Sequence, residues 1–154
     1  MSRNSEKGKR YEFLVKQMDA SIASGFYIEA MGIAYAMMEE RTYRLLDHLG
    51  LSYNPRNDKL YECLKKVSDY IQAQVNTNSN LDEVSGLLDC CFIKNNLCQD
   101  IQEWRKKRND MTHDLAKQTI DYESLHPIAI EGCELFKKYS ALIMTVKKRI
   151  SKAE

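Results

Sequence analysis

An all-α fold, an up-and-down bundle of about five helices, is what this 154-residue sequence predicts. Three observations carry the prediction. Apolar residues recur at three- and four-residue spacings along most of the chain, the period of one helix face. Only two prolines and six glycines interrupt them, too few for a turn-rich β fold. No stretch alternates polar and apolar residues as a half-buried strand does.

The elements follow in order. MSRNSEKGK (1–9) is polar and expected to be a flexible N-terminus. A single domain over 10–150 follows it, a size that buries a core without disulfides. From about Arg10 to Ala23, Tyr11, Leu14, Val15, Met18 and Ile22 share a helical face, and Ser24-Gly25 stops it. A second helix runs from about Tyr27 to Leu49, with Ile28, Met31, Ala34, Tyr35, Met38 and Leu45 toward the core and Gly50 as its C′ stop. SYNPRND (52–58) is a loop, because proline, asparagine and aspartate favour turns. A third helix spans about 58–75, through Leu60, Leu64, Val67 and Ile71, and NTNSN (76–80) is a second loop. Helical pattern resumes near Leu81, pauses at Asn95-Asn96, and continues through Ile101 and Trp104 to about Gln118. The last helix covers about 122–148, with Pro127 in its first turns, where a missing N–H costs least.

Composition narrows function by exclusion. The formal net charge is +1, so gross charge points to neither nucleic acid nor a membrane, and any polyanion site is local. WRKKR (104–108) and KKRISK (147–152) are the densest basic stretches, and a solvated helix flank is the plain reading of each. The five cysteines form no C-x-x-C pair and have no histidine at zinc-finger spacing. They read as small buried apolar residues in a reducing cytoplasm. No signal peptide, membrane span, metal-binding pattern or glycine-rich nucleotide loop is evident, so no cofactor is expected.

The stretch that carries chemistry is RKKRNDMTHDLA (105–116). Leu97, Ile101, Trp104, Met111 and Leu115 lie on one helix face, and Arg108 lies on the same face. A guanidinium in an apolar stripe needs a partner or water. Three placements are open: an ion pair in the core with Glu39 or Glu40, snorkelling to solvent, or a polar cleft that takes an anion. His113 lies roughly 140° around the helix from Arg108 at about 100° per residue. The two side chains therefore diverge on one straight helix. They converge only if the helix is irregular near Asn109-Asp110 or if two copies pack about a two-fold axis. Arginine with histidine and no metal ligands suits RNA cleavage: the 2′-OH is an internal nucleophile, histidine titrates near neutrality, and arginine pairs with the phosphate. Asp110 and Asp114 flank His113. On the residues alone, a surface or capping histidine is the plainer reading.

RNDMTH (108–113) resembles the R-X4-6-H motif of HEPN domains, including the polar residue after the arginine, here Asn109. The leading helix LCQDIQEWRKK and the long early helix YIEAMGIAYAMMEERTYRLLDHLG also resemble that family. The resemblance spans roughly 10–150, but only the short motif is specific. It implies a helical homodimer, and in many members a metal-independent ribonuclease of prokaryotic toxin–antitoxin or antiviral defence, with the Arg and His of both copies lining a cleft. Carried over, Arg108 binds the phosphate, His113 is the general acid or base, and Asn109 orients the phosphate or the histidine. Arg105, Lys106 and Lys107 supply further RNA contacts, and Glu39 or Glu40 supports Arg108. Leu115 stands where one subgroup has a tyrosine modified by a partner enzyme, so that extended motif is absent. The resemblance also covers inactive members that bind RNA or a protein partner. An antitoxin or regulatory protein is a further expected partner, and no membrane is. A third reading leaves Arg108 as a structural ion-pair residue only.

Overall fold

A computed structural model describes residues 3–153, with side-chain surroundings for 6–152. The described chain is helical: α1 (Arg3–Ala23), α2 (Tyr27–Leu49), α3 (Leu60–Thr77), α4 (Glu83–Leu88), a π-helical turn (Asp89–Lys94), α5 (Leu97–Ala116), a 3-10 turn (Tyr122–Leu125) and α6 (His126–Ala153). The expected helical bundle is there, with six α-helices among the described residues rather than about five. The extra one arises where the fourth expected helix divides. Over Asp89–Lys94 the backbone widens to the i→i+5 repeat, with Asn95 N–H donating to the Cys90 carbonyl at 3.0 Å. The buried Asp89 pairs with Lys94 at 3.1 Å, a five-residue spacing that suits this repeat. Asn96 then takes φ 62°, which breaks the helix at the expected Asn95-Asn96 pause. At the other end of the chain, α1 begins at Arg3 rather than near Arg10, with Glu6 favourably placed in its first turn.

Two helix ends follow from glycine's access to positive φ. Gly25 at φ 81° and Gly50 at φ 70° each close a helix with paired reverse bonds. At Gly50, Leu51 N–H reaches the Leu46 carbonyl at 2.9 Å; at Gly25, Phe26 N–H reaches Ser21 at 2.8 Å.

Side-chain contacts fix the helix directions. Gln17 meets Glu29 while Tyr11 meets Arg41, so α1 runs antiparallel to α2. The Tyr27 ring lies against His126 and Thr42 bonds Tyr139, so α2 and α6 run parallel. Trp104 and Lys107 of α5 meet Ile128 and Glu131, whereas Leu97 and Asp100 lie by Leu142 and Thr145, so α5 opposes α6. Gln102 meets Tyr61 while Gln99 lies by Ser68, so α3 opposes α5 and runs with α2. This corrects the up-and-down order: the connection over 50–59 doubles back along α2, tied by Tyr43 Oη donating to the Asp58 carbonyl at 2.9 Å, so that α3 restarts in the same direction.

The core is one cluster at the α2–α6 seam, joined by α1, α3 and α5, with Trp104, Tyr139, Phe136 and Phe92 fully buried. Its largest polar side chains are paired: Trp104 Nε1–H donates to the Ile128 carbonyl at 2.8 Å, and Thr42 shares a 2.8 Å bond with Tyr139, whereas the buried Ser21 Oγ has no partner. All five cysteines are free thiols. Cys63, Cys98 and Cys133 are buried as expected, and burial pushes the Cys98 thiol up to about 12. On the π turn Cys90 is exposed and Cys91 is half-buried against the core. No helix of the described residues is long and apolar enough to cross a membrane.

Candidate functional site

The α5 helix runs without interruption from Leu97 to Ala116, past Asn109 and Asp110. That removes the irregular-helix route by which Arg108 and His113 of one chain would meet. Arg108 faces the bundle and is half-buried, while His113 faces solvent. Beyond His113 the helix ends in the same reverse-bond pattern as at Gly50. Thr119 N–H reaches the Asp114 carbonyl at 3.0 Å, with Gln118 at φ 59° in the glycine's place.

Of the placements open to Arg108, the ion pair with Glu39 or Glu40 is absent. Its guanidinium lies over the ring of Tyr35 on α2, 4.6 Å from the centroid, and its Nη1–H donates to Asn109 Oδ1 at 3.0 Å. Among the described residues no carboxylate comes within ion-pair distance of it. A ring face holds a cation by its quadrupole and leaves the N–H edge free, so the charge is supported but not neutralised. Burial pulls the Arg108 pKa below its ordinary value, with the Tyr35 phenol opposing it, and an arginine so placed remains a cation. Burial, and secondarily Glu39, raises the Tyr35 phenol, so the platform is a neutral ring. Asn109 is thus hydrogen-bonded to the arginine within the chain.

The supporting acids go elsewhere. Glu39 accepts a 3.1 Å bond from the Leu60 N–H, capping the start of α3, and Glu40 pairs with Arg44 one turn along α2 at 3.0 Å. Glu39 is therefore a cap rather than a partner of Arg108. Glu39→Ala should cost about 1 kcal/mol of stability through the lost cap, read by thermal melting. An unchanged melting temperature with impaired Arg108 function would instead favour a supporting role.

The basic neighbours divide as well. Arg105 lies over Tyr61 at 5.1 Å and donates to Gln102 at 3.1 Å, and Lys107 pairs with Glu131 at 3.1 Å. Lys106 is exposed, with no ion pair among the described residues. His113 likewise has no side-chain hydrogen bond to Asp110 or Asp114. Among the described residues no cluster of three His, Cys, Asp or Glu side chains is placed to hold a metal ion. Two grooves, of about 450 and 400 Å³, lie toward the start of α5, and neither is lined by Arg108 or His113.

No protein-family model, curated protein or solved structure matches the chain. The geometry at Arg108 is then what a functional reading has to build on. The residue missed from sequence is Tyr35. It reads as core by its spacing on α2, and its pairing with Arg108 is purely tertiary.

Proposed function

We propose that the protein is a homodimeric, metal-independent endoribonuclease of the HEPN type, acting in prokaryotic toxin or antiviral defence. The observation that carries this reading is the half-buried Arg108 guanidinium, held on a ring face with no carboxylate to neutralise it. A cation kept in that state is built for an incoming anion, and a phosphodiester fits it bidentately. The 2′-oxygen attacks phosphorus and the 5′-oxygen leaves, giving a cyclic phosphate and a free 5′-hydroxyl. Arg108 stabilises the charge that grows on the phosphoryl oxygens, and His113 moves a proton on or off one of the two oxygens.

The second copy is needed because one chain turns these side chains about 140° apart. Both helices offer apolar surface to a copy: Ile28 on α2 is 44% exposed, a β-carbon at Gly32 would meet open space, and Met111 and Leu115 on α5 are only partly buried. The same divergence favours a second reading, in which an inactive HEPN-like dimer binds RNA or a protein partner without cutting.

RNA incubated with the protein in EDTA separates them. Wild type should cleave, and His113→Ala should slow cleavage by roughly 10²–10⁴-fold. Cleavage that stops in EDTA, or survives the substitution, sinks the mechanism. RNA retained uncut by both proteins selects the binding module.

A further inference from the structure

The basic stretch KKRISK (147–152) is not used by the site at Arg108, and the fold gives it company. Because α2 and α6 are parallel and α1 is antiparallel to both, the C-terminal turns of α2 and α6 and the N-terminal half of α1 come to one end of the bundle. Arg10, Arg41, His48, Lys147, Lys148 and Lys152 gather there. Two acids, Glu6 and Glu12 of α1, share this end and pair with none of these cations, so the balance stays basic. Glu40 and Asp47 are taken by Arg44 and Glu83 by Arg149, and among the described residues none of Arg10, Arg41, Lys147, Lys148 and Lys152 has an ion-pair partner. Arg41 instead sits over the Tyr11 ring at 4.3 Å, a cation supported without neutralisation, as at Arg108. His48 reports the local field: burial first, and Lys147 second, hold its imidazole below the usual range. It is therefore neutral near pH 7 rather than the helix-end cation its position would predict.

We infer that this basic end is a second contact for the RNA backbone, distinct from Arg108 and gripping the strand at a distance from the cleavage cleft. The inference rests on the ribonuclease reading for its choice of polyanion. Lys107 pairs with Glu131, which sets the level of Arg108 along α6; Lys147 lies about 24 Å further on at the helical rise per residue. A flexible single strand crosses that span and a compact anion does not. The end does not suit an anionic membrane, which calls for apolar side chains projecting beyond the basic ones. Past Lys147 the exposed residues through Lys152 are Lys148, Arg149, Ser151 and Lys152, and the exposed Phe13, Leu14 and Met144 all lie behind them rather than beyond.

The test is the salt dependence of binding of a long single-stranded RNA, in EDTA on the His113→Ala background. The triple variant Lys147→Gln/Lys148→Gln/Lys152→Gln is compared with a control at exposed lysines elsewhere, Lys16→Gln/Lys65→Gln/Lys138→Gln. Three lost phosphate contacts should make the slope of log affinity against log salt shallower by about 2. Between roughly 50 and 200 mM salt, the triple variant should then lose on the order of tenfold less affinity than its parent. The control should track the parent. Equal effects of the two triple variants, or no effect of either, overturn the inference. So does a loss confined to phosphatidylserine vesicles. Cleavage that depends on Arg108 and His113 while the triple variant binds as its parent does would sink this contact and leave the ribonuclease standing. Salt-slope loss in a protein that never cuts RNA would do the reverse.

Discussion

Gly132→Ala should destabilise the protein by about 2–4 kcal/mol, although alanine is the better helix former by about 1 kcal/mol. Gly132 lies within α6, directly against the indole of Trp104. A β-carbon there would stand 2.5 Å from Trp104 Cε2 and 2.8 Å from Nε1, and closer still to Cζ2. These are ring atoms of a fully buried side chain, so no flexible end can swing away. Moving the ring also stretches its 2.8 Å bond to the Ile128 carbonyl, and an unmade buried bond costs about 1–3 kcal/mol. For a chain of this size the melting temperature should fall by roughly 5–15 °C. Trp104 is the sole tryptophan, so its fluorescence reports the displacement without interference. Trp104→Phe removes the ring atoms that clash. The double variant should accordingly lose much less than the two single losses added. A melting temperature unchanged by Gly132→Ala, or strict additivity, would show that the close approach is not stabilising.

That contact marks where the sequence stops being legible. Helix ends that depend on one residue's own backbone were readable: Gly25 and Gly50 take the positive φ that glycine tolerates, and Pro127 sits where an N–H is not needed. The apolar stripe of α5 was readable too, because a period of 3.6 is a property of one helix, and it placed Arg108 facing the bundle. What two helices do to one another left no such trace. DCCFIK (89–94) suits an α-helix as well as the π turn it forms. From sequence Glu39 reads as readily as a partner of Arg108 as a cap for α3, and only the doubled-back connection decides for Leu60. Tyr35 looks like any core aromatic until α5 lies across it. Half of the candidate site, the arginine and its neighbour Asn109, was therefore visible in a short motif. The platform that holds the arginine and the fate of the surrounding charges were not.

The angle between Arg108 and His113 leads to the most discriminating result. If the protein is the proposed ribonuclease, Arg108→Ala and His113→Ala should each lower cleavage at least 10²-fold, since on that reading one removes the transition-state cation and the other the proton carrier. Arg108→Lys should rescue little, because an ammonium neither lies flat on the Tyr35 ring nor pairs bidentately with a phosphate. Mixing the two inactive alanine variants should restore activity. If each site takes its arginine from one copy and its histidine from the other, a mixed dimer has one site with both residues lost and one intact. Random exchange makes half the dimers mixed, so about a quarter of wild-type activity should return. Two residues that act within one chain return none, because neither variant then holds a complete pair. The uninterrupted α5 helix keeps the pair apart inside a single copy, so complementation is the outcome this fold requires of a ribonuclease built on these two residues. Failure to complement, in a protein that does cut RNA through both, would sink the shared cleft.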